Sequence, residues 1–156
     1  METLSENSYY KVVTIDKHRT LTSAIIGKNI FFSRTPNLRL YYKLHEWIKP
    51  KIGKIFIFDT LIHAKDFMRL DQTREWRIYK CYAKNVTSIN KILEPGLSYE
   101  EVFRNFWNNK LTRYDEDCYL KDDVWSGTLV ADSVMLYEQV RIRNITKAIF
   151  LRRLKK

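Results

Sequence analysis

The sequence predicts one α+β domain, an antiparallel or mixed β-sheet with two or three helices packed against it. Segments rich in β-branched and aromatic residues recur along the 156 residues, and stretches with helical spacing are inserted between them. These do not alternate as strand, helix, strand, helix, which argues against a doubly wound parallel sheet. The length suits a single domain, residues 1–156, and a hydrophobic content of 45% allows a sizeable core.

Residues 9–15 (YYKVVTI) and 20–26 (TLTSAII) read as strands, and Gly27-Lys28-Asn29 supplies turn chemistry for a hairpin over 20–33. In 38–44, Leu38, Leu40, Tyr42 and Leu44 alternate with Arg39, Tyr41 and Lys43, which predicts a strand with one wet, basic face. After Pro50 and Gly53, the apolar run 54–58 (KIFIF) suits a central strand buried on both faces. Asp59 or Thr60 can cap a helix over 61–70, with Leu61, Ala64, Phe67 and Met68 on its inner side. Residues 75–86 read as a long strand whose buried face the pattern leaves open.

Ser98-x-x-Glu101 is a capping box, and Tyr99, Val102, Phe103, Phe106 and Trp107 form the stripe of the helix it starts. Residues 108–126 read as an irregular acidic surface loop. Thr128 to Val140 predicts one or two strands broken near Asp132-Ser133, and Asn144 can cap a last helix with a basic end. Residues 1–7 and 153–156 are expected to fray.

No apolar run approaches a membrane span or a secretory leader, so a cytoplasmic protein is expected. Cys81 and Cys118 lie far apart with no C-x-x-C pair, which predicts two free thiols and a buried Cys81. Charge is the compositional extreme. The formal net charge is +10, unevenly spread, with residues 34–58 basic and 92–126 acidic. Such a field attracts polyanions such as nucleic acid, nucleotides, or an acidic protein or membrane face.

Three constellations suggest chemistry. His18-Arg-Thr20-Leu21 has the H-x-T-L form used by two-histidine phosphoesterases, but no second copy follows His45 or His63, and His63 reads as solvated. Asp59 and Glu75, with Lys80 or Lys84, could converge as a metal-dependent nuclease, which would then call for Mg²⁺. Acids in 115–123 lack the glycine of an EF-hand loop, so no metal site and no cofactor are assigned. The third is basic and aromatic. Arg39, Lys43, Lys49, Lys51 and Lys54 interleave with Tyr41, Tyr42 and Trp47, and Arg152, Arg153, Lys155 and Lys156 add a basic end. Cations of this kind contact phosphates and aromatic rings stack on bases.

YYKVV at 9–13, LTSAI at 21–25, EWIKPKIGKIFIFD at 46–59 with Ala64 and Phe67, and WSGTLVAD at 125–132 resemble a family of small uncharacterised phage and viral proteins. The resemblance spans most of the chain and implies an accessory protein acting in a host cytoplasm. A fainter likeness, Y-K-V-V followed by G-x-x-F-x-F-D and a helix with A-x-x-F, is similar to the ADP-ribosyltransferase-type fold, which cradles NAD. There Glu138 is the one late strand glutamate available.

The leading expectation is a non-enzymatic protein that binds nucleic acid or an acidic host component through a basic face. The alternatives are a phosphodiester-cleaving enzyme, acting on nucleic acid or a nucleotide signal through His18, Asp59 and Glu75, and an inhibitor that binds a host protein.

Overall fold

Among the described residues, alternation of apolar side chains builds a nine-stranded antiparallel sheet with two α-helices on its outer side, so this α+β fold is dominated by strands. The computed structural model describes residues 8–23, 36–69, 75–95, 100–110, 118–121 and 124–142. Its strands are β1 (Tyr9–Ile15), β2 (Leu21–Ser23), β3 (Tyr41–Tyr42), β4 (Trp47–Ile48), β5 (Ile55–Phe58), β6 (Trp76–Lys84), β7 (Thr87–Ser88), β8 (Ile92–Pro95), β9 (Cys118–Lys121), β10 (Thr128–Ala131) and β11 (Ser133–Val140). The helices are α1 (Leu61–Met68) and α2 (Glu100–Trp107). Strands β8 and β9 form a separate two-stranded ladder.

The sheet closes on itself. β11 pairs with β6, β6 with β1, β1 with β5 at Tyr10↔Phe58, and β5 with β10, which runs into β11 through the single residue Asp132. One register carries the ribbon through the corner, since Lys84 faces Ser133 and Thr87 faces Val130. Asp132 pins this corner: its backbone N–H donates to the Lys84 carbonyl, and its carboxylate accepts from Lys54 Nζ and Asn85 Nδ2, both at 2.8 Å. Those donors hold the Asp132 carboxyl below its ordinary value, with Lys54 the larger cause.

Period-two alternation sorts the side chains. Val13, Ile55, Ile57, Tyr79, Cys81, Ala83, Val134 and Leu136 fill the interior. Fully burying an Ile or Leu of this kind contributes about 1.5–3 kcal/mol each. Val12, Phe58 and Ile78 point outward and are covered by Ala64 and Phe67 of α1. Phe67 also meets Trp76 and Trp125 edge-on, at ring-centroid distances of 6.0 and 5.0 Å. Trp107 of α2 packs on Phe56 and lies so close over Gly53 that a Cβ there would collide with its indole.

Several expectations need correcting. The strand expected over 38–44 shrinks to Tyr41–Tyr42, preceded by a 3₁₀ turn at Pro36–Leu38. Leu44, assigned to the apolar face, is 44% exposed, because the chain turns back at His45 (φ 63°) before β4. The expected acidic loop contains β9. The 75–86 run is the strand Trp76–Lys84, whose inner face is Tyr79, Cys81 and Ala83 in the core, while on its outer face Ile78 is buried and Trp76, Lys80, Tyr82 and Lys84 are half-buried. The break expected near Asp132 falls there. Thr60 is the cap of α1, its side chain accepting from the His63 N–H. The proposed 20–33 turn, the capping-box Ser98, the final helix and both frayed ends lie outside the described residues. No described helix is long and apolar enough to cross a membrane.

Candidate nucleic-acid interface

Among the described residues, the outer face of the sheet is only partly covered. α1 lies over Val12, Phe58 and Ile78. The cross-strand row Phe58–Tyr10–Lys80–Glu138 marks the edge of that cover. Beyond it, no described element lies over the outward side chains of β6, β11 and β4.

The register aligns them as an aromatic platform. Met135 faces Trp47 on one side and Tyr82 on the other. A bulge between Leu136 and Glu138 inserts Tyr137 into β11. Such an extra residue turns two consecutive side chains to one face. Tyr137 therefore joins Glu138 outside and stacks on Tyr82, with centroids 4.5 Å apart and planes at 23°. The Tyr137 hydroxyl is 2.7 Å from Ser8 Oγ, which fixes the ring at its rim. Lys84 Nζ stands 4.7 Å over the Trp47 ring. Trp47 remains 37% exposed and Tyr41, on β3, 51% exposed. Lys80 adds a cation bonded to both Glu138 carboxylate oxygens at 3.1 Å.

The cations expected to form a basic face are less free than their spacing implies. Lys54 is paired with Asp132 at 2.8 Å and Lys43 with Glu46 at 3.6 Å. Lys51 donates to Asn37 Oδ1, beside Glu100. Arg39 is half-buried within the field of Asp16. Lys49 is exposed directly after β4. Arg152 and Arg153 lie outside the described residues.

His18, Asp59 and Glu75 do not converge. His18 lies in the turn after β1, its backbone N–H donating to Asp16 Oδ1 at 2.8 Å. Glu75 pairs with Arg77 at 3.0 Å, and its carbonyl accepts from the Ile15 N–H at 3.3 Å. Asp59 follows the Tyr10↔Phe58 pair at the other end of β1, about 20 Å away at the rise of a strand. Its partner is His63, an arrangement that an i, i+4 spacing allowed but did not specify: Oδ1 lies 2.7 Å from His63 Nδ1. Thr60 Oγ1 is 2.9 Å from the same nitrogen. Gly127 (φ 73°) closes over the pair, where a Cβ would strike both Asp59 Oδ1 and His63 Nδ1, and its carbonyl accepts from the Asp59 N–H at 3.0 Å. Among the described residues, no group of three or more His, Cys, Asp and Glu is placed to hold a metal ion.

Inside the closed sheet sits an unexpected polar cluster. Lys11, 5% exposed, donates from Nζ to the Phe56 carbonyl at 2.8 Å. Burial lowers its amine to about 8 despite the nearby Cys81, whose thiol burial pushes up to about 12. The buried Tyr42 hydroxyl meets no partner at hydrogen-bond geometry among the described residues, and desolvation raises it well above its ordinary value, the nearby Ser23 hydroxyl, short of a formed bond, offsetting a part.

The platform was only half legible. Trp47 stands beside its lysines in the sequence, but Tyr82, Met135, Tyr137 and Lys84 join it only through strand register and a bulge. A comparison with protein-family models, curated proteins and solved structures finds no match to this chain.

Proposed function

We propose that this chain binds single-stranded nucleic acid on the outer face of β4, β11 and β6, as an accessory protein of the phage or viral type its sequence resembles. The observation that carries the reading is the cross-strand row Trp47–Met135–Tyr82, extended by Tyr137 and flanked by Lys84, in which Trp47 is exposed and Met135, Tyr82 and Tyr137 are half-buried. Aromatic rings presented on a sheet, with cations at their margin, offer π-faces to unpaired bases and charge to the phosphates. A net charge of +10 favours encounter with such a polyanion. Paired bases in a duplex keep their faces stacked on each other, so the platform reads an unpaired strand.

The test is fluorescence anisotropy with labelled single- and double-stranded oligonucleotides at two salt concentrations. Single strands bind tighter than duplexes of the same length, and affinity falls as salt rises. Equal affinity for both forms would contradict the stacking role. No binding at low salt would remove nucleic acid and leave an acidic host protein as the polyanion to test.

A further inference from the structure

We propose that His63, held by Asp59, is a general base that cleaves RNA bound on the platform, an activity that rests on the binding reading above. Asp59 Oδ1 and Thr60 Oγ1 both engage His63 Nδ1, at 2.7 and 2.9 Å. Nε2 has no protein partner among the described residues, and the side chain is 29% exposed. A carboxylate on one ring nitrogen fixes the tautomer and leaves the lone pair on the other nitrogen, directed away from it, the division of labour a catalytic imidazole requires. Gly127 reinforces the geometry, since it is packed against both groups with no space for a side chain. A helix cap alone does not require that fit, because Thr60 already accepts the His63 N–H.

Position links the pair to the platform. Tyr10 faces both Phe58 and Lys80, and Tyr9 faces Cys81. Continuing those antiparallel ladders sets Asp59 level with Tyr9, and Thr60 level with Ser8 and Tyr82. The dyad is thus at the end of α1 that borders the uncovered face, about 10 Å from Tyr82 across two strand spacings. A strand stacked on Tyr82 and Tyr137 can lay its backbone across that gap.

A single imidazole base suits a nucleophile already tethered to its phosphate, which is the 2′-hydroxyl of RNA. His63 Nε2 takes the 2′-hydroxyl proton as the 2′-oxygen forms a bond to phosphorus. The P–O5′ bond breaks, and the departing 5′-oxygen takes a proton from water. The imidazolium then returns its proton to solvent. The products are a 2′,3′-cyclic phosphate and a 5′-hydroxyl end. His63 is the catalytic residue in this scheme, and Asp59 is a positioning residue.

The experiment uses the full chain with a short labelled single-stranded RNA and its 2′-O-methyl counterpart, reading binding by anisotropy and ends by mass spectrometry. Both oligonucleotides bind, and only the RNA is cut, to cyclic-phosphate ends. His63→Ala retains binding and loses at least about 100-fold in cleavage rate. Asp59→Asn lowers kcat while its affinity for the 2′-O-methyl strand and its melting temperature stay at the wild-type values, a combination that loss of folded protein would not produce. RNA that is bound but stays intact would overturn the dyad while leaving the platform in place, as would His63→Ala cutting at the wild-type rate. RNA that is cut with no measurable binding of the 2′-O-methyl strand would instead sink the platform reading.

Discussion

Lys11 shows how one residue can set the pH response of the core. Its amine is lowered to about 8, against an ordinary 10.5, mainly by burial. Between those values the unfolded chain holds a proton the folded chain has released, so stability rises with pH across that window. Cys81 acts in the opposite sense. Its thiol is raised to about 12 from 9, so above pH 9 the unfolded chain loses a proton that the folded chain keeps, and stability falls. Tyr42, also raised by burial, adds to that fall in more alkaline solution. Urea denaturation should therefore find stability increasing from pH 8 to 9 and declining in strong alkali. Lys11→Met should abolish the rise and stabilise the protein at neutral pH by about 1–2 kcal/mol, the relief of desolvation exceeding the bond lost to the Phe56 carbonyl. A variant that keeps the rise would show that another group titrates. A buried lysine is not legible from YYKVVTI, where alternation places Lys11 with Val13 but cannot say that this side is dry.

At the scale of elements, length and locality decided what the sequence disclosed. The runs 54–58 and 75–86, and the helix after Asp59, were legible because each carries enough periodic apolar residues to declare its type. The two-residue strands β4 and β7 were not, because their pairing is set by distant partners and not by their own residues, and β3 was legible only as part of a longer strand. The corner between β10 and β11 was visible as a break at Asp132-Ser133, yet its mechanism was not. There Asp132 ties Lys54 and Asn85 to the bend. Asp132→Ala should cost about 1 kcal/mol, discounted for partial exposure, and should lower the melting temperature seen by calorimetry. An unchanged melting temperature would mean that the backbone ladder alone holds the corner. The depressed carboxyl contributes its stability above the ordinary aspartate range and loses it as pH falls through the folded value.

For the whole molecule, charge and surface tell different stories. The +10 total is real, but Lys43, Lys51 and Lys54 are each engaged locally. The net field governs encounter and its salt dependence. The aromatic platform governs which strand stays bound. Composition revealed the first, and only the closed sheet, with its register and bulge, revealed the second. His63 illustrates the same limit. The sequence is equally consistent with a solvated side chain, because Asp59 four residues earlier also suits a plain helix start, and the orientation of Nδ1 emerges only when Gly127 packs against both.

The most direct test of the platform is a comparison of two variants for single-strand affinity by anisotropy at one salt concentration, Trp47→Ala with Tyr82→Ala against Lys51→Ala with Lys54→Ala. Stacking on a base is worth about 1–3 kcal/mol per ring, so the aromatic double variant should bind at least about 10-fold more weakly than wild type. The lysine double variant should change affinity far less, because both amines already have partners. Wild-type affinity in the aromatic variant, with the loss confined to the lysine variant, would contradict the platform and return the binding site to the basic stretch.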